Sequence, residues 1–199
     1  PANTVPVPER AEATGKRIAI IGGGPSGLAA AYYLELMGHH AVVFEAKSKL
    51  GGMLRYGIPS YRFPRERLDQ DIEVILSTGV EVHLNTKIGN GEGEVPFNKL
   101  REEYDAVYIA IGAHEDKKVG IEGEDSKGVI SAVEMLGSIG EEVMPDFKDK
   151  TVVVIGGGNV AMDCTRSAIR LGAKKVTIAY RRRKSDMTAL PEEIEGAVA

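Results

Sequence analysis

The sequence predicts an α/β fold built from two doubly wound, parallel-sheet units. Three observations predict it. A short apolar run passes through a glycine turn into a helix-forming stretch, RIAIIGGGPSGLAAAYYLELM at residues 17–37. The same order returns at residues 151–170, TVVVIGGGNVAMDCTRSAIR. A further apolar run follows each helix, AVVF at 41–44 and VTIAY at 176–180, so each copy reads as strand, turn, helix, strand.

The first element after the N-terminal residues is a strand over 18–21, apolar, short and bounded by glycine. Residues 1–16 before it carry three prolines and little periodicity. They read as an extended arm that either leads in from another domain or packs on a neighbour. Gly22, Gly24 and Gly27 then supply G-x-G-x-x-G. Gly22 suits the tight turn out of the strand, Gly24 lets a pyrophosphate approach the backbone, and Gly27 lets helix and strand pack closely. The free N–H groups and positive dipole end of the helix face such a phosphate. The helix covers 29–37 and Gly38 stops it. A second strand over 41–44 ends at Glu45, 21 positions after Gly24, where a carboxylate can accept hydrogen bonds from ribose hydroxyls. This is a Rossmann-like dinucleotide-binding opening.

Residues 47–64, KSKLGGMLRYGIPSYRFP, form a long loop in which Gly51 and Gly52 offer a second place for backbone to approach a ligand. A helix over 64–78 follows, with Leu68, Ile72, Ile75 and Leu76 on one stripe and Gly79 at its end. The spacing predicts a strand over 80–84, a glycine-rich connection over 85–95 and a short helix over 96–103. Residues 104–111 read as another buried strand, ending on the small pair Gly112 and Ala113, which can lie against a cofactor. Residues 114–127 are charged and loop-like, and 131–139 form a short helix with Ser131 and Glu134 as a capping box. Residues 140–150 read as an interdomain crossing. The expected organisation is an arm over 1–16, a first nucleotide domain over 17–145 that lacks its closing C-terminal segment, and the start of a second over 146–199.

The repeat is the most specific feature. Gly22 matches Gly156 and Gly38 matches Gly172, both by 134 positions (156 − 22 and 172 − 38); Gly24 matches Gly158 and Gly27 matches Ala161. The copies differ where specificity is set. The second has one extra residue in its turn and no carboxylate after its second strand; Arg181, Arg182, Arg183 and Lys184 follow instead. A carboxylate there would repel a 2′-phosphate, whereas a guanidinium grips one through a bidentate fork. The second site is therefore expected to take NADP(H) over NAD(H).

Composition bounds the remaining function classes. Hydrophobic content of 43% and charged content of 27% are ordinary for a globular protein of 199 residues, enough for one domain and part of another. A net charge of −4 offers nothing to nucleic acid, and no membrane-spanning run or signal peptide is visible. The single cysteine, Cys164, excludes an intrachain disulfide, a C-x-x-C redox pair and an iron–sulfur cluster built from this chain alone. The histidines, His39, His40, His83 and His114, show no ligand spacing, so no metal site is expected, and a reducing cytoplasm is the expected compartment.

IGGGPSGLAAA, Glu45, LGGMLRYGIPSYRFP, AIGA at 110–113, GGGNVAMDC and YRRR together resemble the small (beta) subunit of NADPH-dependent glutamate synthase. The same module occurs in dihydropyrimidine dehydrogenase and ferredoxin-coupled NADPH oxidoreductases. The resemblance covers most of residues 17–199. It implies FAD at the first site, with Gly22, Gly24, Pro25, Ser26 and Gly27 around the pyrophosphate and Glu45 with Ala46 at the adenosine ribose. Gly51, Gly52, Met53, Arg62, Ile88 and Gly112 would line the flavin's path. NADPH would lie on Gly157, Gly158, Asn159 and Val160, with Arg181 and Arg182 on the 2′-phosphate. The family also carries an iron–sulfur segment before the first nucleotide domain and continues past residue 199, so the second unit is expected to be truncated here and completed elsewhere. No catalytic acid–base residue is expected. The implied activity is a flavoprotein oxidoreductase passing hydride from NADPH to FAD and electrons on to an iron–sulfur protein or large catalytic subunit. The alternative is a non-catalytic nucleotide-binding or interaction module. A disulfide reductase would need the cysteine pair that is absent.

Overall fold

The computed structural model describes residues 8–198, so the first seven residues of the expected arm lie outside the described residues. The chain divides into two compact units, Pro1–Arg55 with Ser60–Ala113, and Tyr56–Pro59 with His114–Ala199.

The first unit is a parallel sheet in the order β3-β2-β1-β4. Its elements are β1 (Arg17–Ile21), α1 (Pro25–Leu36), β2 (His40–Phe44), α2 (Met53–Tyr56, at the passage to the other unit), α3 (Arg65–Leu76), β3 (Glu81–His83), α4 (Phe97–Glu103) and β4 (Ala106–Ile109). After their first residues, Arg17 and His40, strands β1 and β2 are apolar because both faces of the sheet are covered. Ile20, Ala41 and Val43 point to one side, where Leu28 and Ala31 of α1 and Leu68 and Ile72 of α3 meet them. Ala19, Ile21, Val42 and Phe44 point to the other, against Leu100 of α4. β1 and β2 pair residue for residue, Ile20 opposite Val43 and Ile21 opposite Phe44.

Residues 8–16 adopt no regular element but are tied down. Ala11 donates its N–H to Leu36 O and Thr14 to Gly38 O, each at 2.9 Å. The Arg10 guanidinium pairs with the carboxylate of Glu35, which is fully buried on α1 and also accepts the Ala41 N–H at 2.8 Å. This part of the expected arm therefore packs on its own unit. The long loop over 47–64 contains the short helix α2, which lacked the length to register as a helical period. The strand expected over 104–111 is a correction: β4 is shorter, and it is an edge strand rather than a buried one. It pairs only with β1, so Tyr108 and Ile109 remain exposed.

The second unit holds α5 (Ala132–Gly140), β5 (Thr151–Ile155), α6 (Asn159–Arg170), β6 (Lys175–Ala179), a single 3₁₀ turn (Lys184–Asp186) and α7 (Pro191–Val198). β5 and β6 are parallel, Val153 opposite Thr177. α6 is the centre of its core. Cys164 and Ala168 pack with Met135 and Leu136 of α5 and with Phe147, while Ala161 and Met162 pack with Ala189 near α7. The Ser131 hydroxyl caps α5 by accepting the Val133 and Glu134 N–H groups at 3.1 and 3.3 Å. These contacts put α5 and residues 140–150 in the second unit. The chain passes into the second compact unit at Ala113–His114, and Leu136 and Phe147 bury themselves against α6.

Candidate nucleotide sites

Both glycine turns leave the C-terminal end of the first strand of a parallel pair and enter a helix. In each, the first glycine is tied to the end of the second strand. Gly22 N–H donates to Phe44 O at 2.8 Å and Gly156 N–H to Ala179 O at 3.0 Å. The second partner is 135 positions on (179 − 44), the one extra residue expected in the second copy. The repeat is thus a repeat of geometry.

In the first unit the turn is packed against backbone. A Cβ on Gly27 would stand 1.9 Å from Gly22 O, and one on Gly22 would stand 2.3 Å from Ala110 O. Gly51 N–H donates to Gly23 O at 2.8 Å, and a Cβ on Gly52 would lie 2.7 Å from Gly24 Cα. The glycine pair at 51–52 therefore abuts the first turn, and residues 22–24, 51–52 and 110 converge, with the Leu50 and Glu45 side chains against Gly23 and those of Leu68 and Arg55 against Gly51. A Cβ on Gly24 would come no nearer than 3.5 Å to anything but its chain neighbours. Such a bare surface at a helix start admits a pyrophosphate to the N–H groups of α1. Pro25 and Ser26 are exposed in the first turn of that helix, and the Ser26 hydroxyl lies 3.0 Å from the Tyr108 hydroxyl of β4.

Glu45 is buried at the end of β2. Its carboxylate accepts the Gly23 N–H at 2.7 Å and the Lys47 N–H at 2.8 Å. It holds the glycine turn in shape, a role invisible in the sequence, and each oxygen keeps capacity for a further donor such as a ribose hydroxyl. Ala46 beside it is exposed. Glu45 O accepts the Thr86 N–H at 2.8 Å, and Ile88, two residues on, bridges to Val95 and packs on the Phe44 side of the sheet. Met53 and Arg62 are half-buried in the 51–64 segment, and Gly112 is exposed just beyond β4. Gly22, Gly24, Pro25, Ser26, Gly27, Glu45, Gly51 and Gly52 thus form one group. Met53, Arg62, Ile88 and Gly112 flank it along the chain.

In the second unit Ala161 replaces Gly27, and its real Cβ fits within 3.4 Å of where a Cβ on Gly156 would stand. Residues 187–190 close over this turn. Gly157 O accepts the Thr188 and Ala189 N–H groups at 3.0 Å each, and Asn159 Oδ1 accepts the Leu190 N–H at 2.9 Å. The Asn159 side chain therefore holds this segment, which sequence reasoning missed because its partner lies 31 residues away. A Cβ on Gly158 would stand 3.5 Å from the Thr188 hydroxyl oxygen, and Val160 is exposed in the first turn of α6. Arg181 and Arg182 stand exposed immediately after β6, while Arg183 is paired with Asp186.

No dithiol chemistry is available within this chain. Cys164 is buried in α6, and burial, with a smaller contribution from the Asp163 charge, pushes its thiol up to about 12. Among the described residues no group of three or more His, Cys, Asp and Glu could hold a metal ion, and no helix is long and apolar enough to cross a membrane.

The profile of the pyridine nucleotide-disulphide oxidoreductase family matches residues 15–199. The chain belongs to that family. Its relatives in the family include the NADP(+)-dependent formate dehydrogenase subunit beta of Moorella thermoacetica. The two are 46% identical over 188 residues, covering 94% of this chain and 26% of that one. The glutamate synthase [NADPH] small chain of Escherichia coli (strain K12) is 39% identical over 194 residues, 92% of this chain and 40% of that one. Among solved structures, Mycobacterium tuberculosis FprA in complex with NADPH superposes with a TM-score of 0.74 at 27% identity, over 92% of this chain and 47% of that one. The resemblance drawn from the glycine motifs and LGGMLRYGIP thus holds across the two-unit fold. The chain spans between about a quarter and two fifths of the length of these two curated relatives.

Proposed function

We propose that this chain is the two-nucleotide part of an NADPH-linked flavoprotein oxidoreductase, with FAD on the first unit and NADP(H) on the second. One contrast carries the reading: two glycine turns of matching geometry, one backed by the buried carboxylate of Glu45 and the other followed by the exposed guanidinium groups of Arg181 and Arg182. In the first unit, the backbone around Gly22, Gly24, Pro25, Ser26 and Gly27 would hold the pyrophosphate, and Glu45 with Ala46 the ribose. Gly51, Gly52, Met53, Arg62, Ile88 and Gly112 would line the rest of the site. In the second, Gly157, Gly158 and Val160 would present backbone to the dinucleotide and Asn159 would brace the turn.

When bound, FAD would supply two-electron acceptance from NADPH and one-electron release. The chain's own residues bind and orient, which is the protein's share of such chemistry. The names of the relatives, subunit beta and small chain, support a partner subunit; on our reading it takes up the electrons as an iron–sulfur protein or a large catalytic subunit, in the cytoplasm. Flavin fluorescence titration and calorimetry test the proposal. FAD is expected to quench on binding, and NADPH to bind more tightly than NADH. Arg181→Ala should cost NADPH about tenfold, from the roughly 1.5 kcal/mol or more of a charge-assisted hydrogen bond, and leave NADH untouched. A chain that takes up no flavin and treats the two nicotinamide dinucleotides alike would sink it.

A further inference from the structure

We propose that Tyr180 and Asp186 form a clasp that positions the basic turn after β6, and that this clasp sets the preference of the second unit for a 2′-phosphorylated nucleotide. The inference rests on the NADP(H) reading above. The Tyr180 hydroxyl donates to the Asp186 carbonyl at 2.9 Å. The Asp186 carboxylate accepts the Arg183 N–H at 3.2 Å and faces Arg183 Nε at 3.4 Å. Residues 180 and 186 are thereby joined across a short loop closed by one 3₁₀ turn, with Arg181 and Arg182 exposed on it. Among the described residues Arg183 is committed to Asp186, while Arg181 and Arg182 make no ion pair.

The inner side of the clasp is fastened to the glycine turn. A Cβ on Gly157 would lie 2.7 Å from Cε2 of the Tyr180 ring and 3.1 Å from Cγ of Met187. The backbone just beyond Met187 is held by Gly157 O. Basic turn and glycine turn are therefore packed as one body. Two long guanidinium side chains on a loose loop would lose much of their attraction for a phosphate to the entropy of ordering that loop. On a fastened loop that loss has already been met in folding. Tyr180 and Asp186 are positioning residues: they act through the backbone that carries Arg181 and Arg182.

The test compares 2′,5′-ADP, which carries the extra phosphate, with 5′-AMP, by calorimetry on the chain and on Tyr180→Phe, Asp186→Ala and Asp186→Asn. The unaltered chain should prefer 2′,5′-ADP. Tyr180→Phe, which keeps the ring on Gly157, should lose about three- to tenfold in affinity for 2′,5′-ADP, the range of one hydrogen bond, with no change for 5′-AMP and a fall in melting temperature of about 4 °C at most. Asp186→Ala should show the same selective loss. Asp186→Asn, whose amide oxygen can still accept the Arg183 N–H, should restore most of it. Equal losses for both probes, or no loss in variants that melt within that margin of the parent, overturn the clasp and leave the NADP(H) reading standing. A parent chain that does not distinguish the probes overturns that reading, and the clasp with it.

Discussion

Glu35 and Glu45 are both buried carboxylates of the first unit, and neither was legible as buried. Glu35 sits in a helix as Leu-Glu-Leu, which reads as a solvent-facing acid. It is buried because residues 8–16 lie across the end of α1 and Arg10 delivers a guanidinium to it. Arg10 is 44% accessible and Glu35 keeps the Ala41 N–H, so removing the guanidinium should cost an amount between that of an exposed and a buried pair, about 2 kcal/mol. Arg10→Met, which keeps much of the apolar stem, should therefore lower stability by roughly that amount, read as a shift in urea midpoint with unchanged slope. The exposed pair Lys118–Asp125, with side chains 69% and 85% accessible, is the contrast. Breaking it should leave the urea midpoint unchanged. Its spacing marks Glu45 as a candidate ribose ligand; the Lys47 N–H it binds is local, whereas the Gly23 N–H reaches it only because the 22–24 turn folds back on β2.

At the scale of elements, the strands differ in how far their burial could be read. β1 and β2 are continuous apolar runs with both faces covered. β5 and β6 are nearly as apolar but alternate, with Val153 and Ile155 more than half exposed on one face and Val152 and Val154 packed on the other. Residue type alone did not separate the two cases. It also made β4 seem interior, because YIAI is apolar wherever it lies. β3, at the opposite edge, is fastened by polar contacts. Glu81 accepts from His40 Nε2 at 3.0 Å and from His83 Nε2 at 2.8 Å, and the His83 ring stacks on Phe44 at 5.1 Å. The His40 hydrogen bond, opposed by partial desolvation and reinforced by His83, holds the Glu81 carboxyl below its usual range. A carboxylate depressed in the folded state contributes stability that is complete above the unfolded value of 4.5 and lost as pH falls through the lower folded value. Denaturant midpoints should therefore drop on acidification below about pH 5, and Glu81→Gln should flatten that part of the profile. An unchanged acid slope in Glu81→Gln would show that other carboxylates carry it.

At the scale of the whole molecule, two units each carry one glycine turn and one core, and Cys164 reports on the second. A thiol pushed up to about 12 inside α6 is almost wholly protonated near neutral pH. Its reaction with a thiol reagent at pH 8 should be far slower in the folded chain than in the unfolded one, and its labelling rate should track opening of the second unit. Fast labelling without loss of α6 helicity would contradict the packing described. The order of residues along the chain determined the two strand–turn–helix–strand openings, their register and the contrast between Glu45 and the Arg181–Arg182 pair. These follow from local causes: glycine tolerance, apolar runs and fixed spacing. Tertiary structure alone decided that α5 joins the second unit, that β4 is an edge, that residues 8–16 bury Glu35, and that Asn159, Tyr180 and Asp186 hold the second turn. Each of these depends on which distant surfaces meet, and a pattern of residue types carries no information about a contact whose two halves lie far apart in sequence.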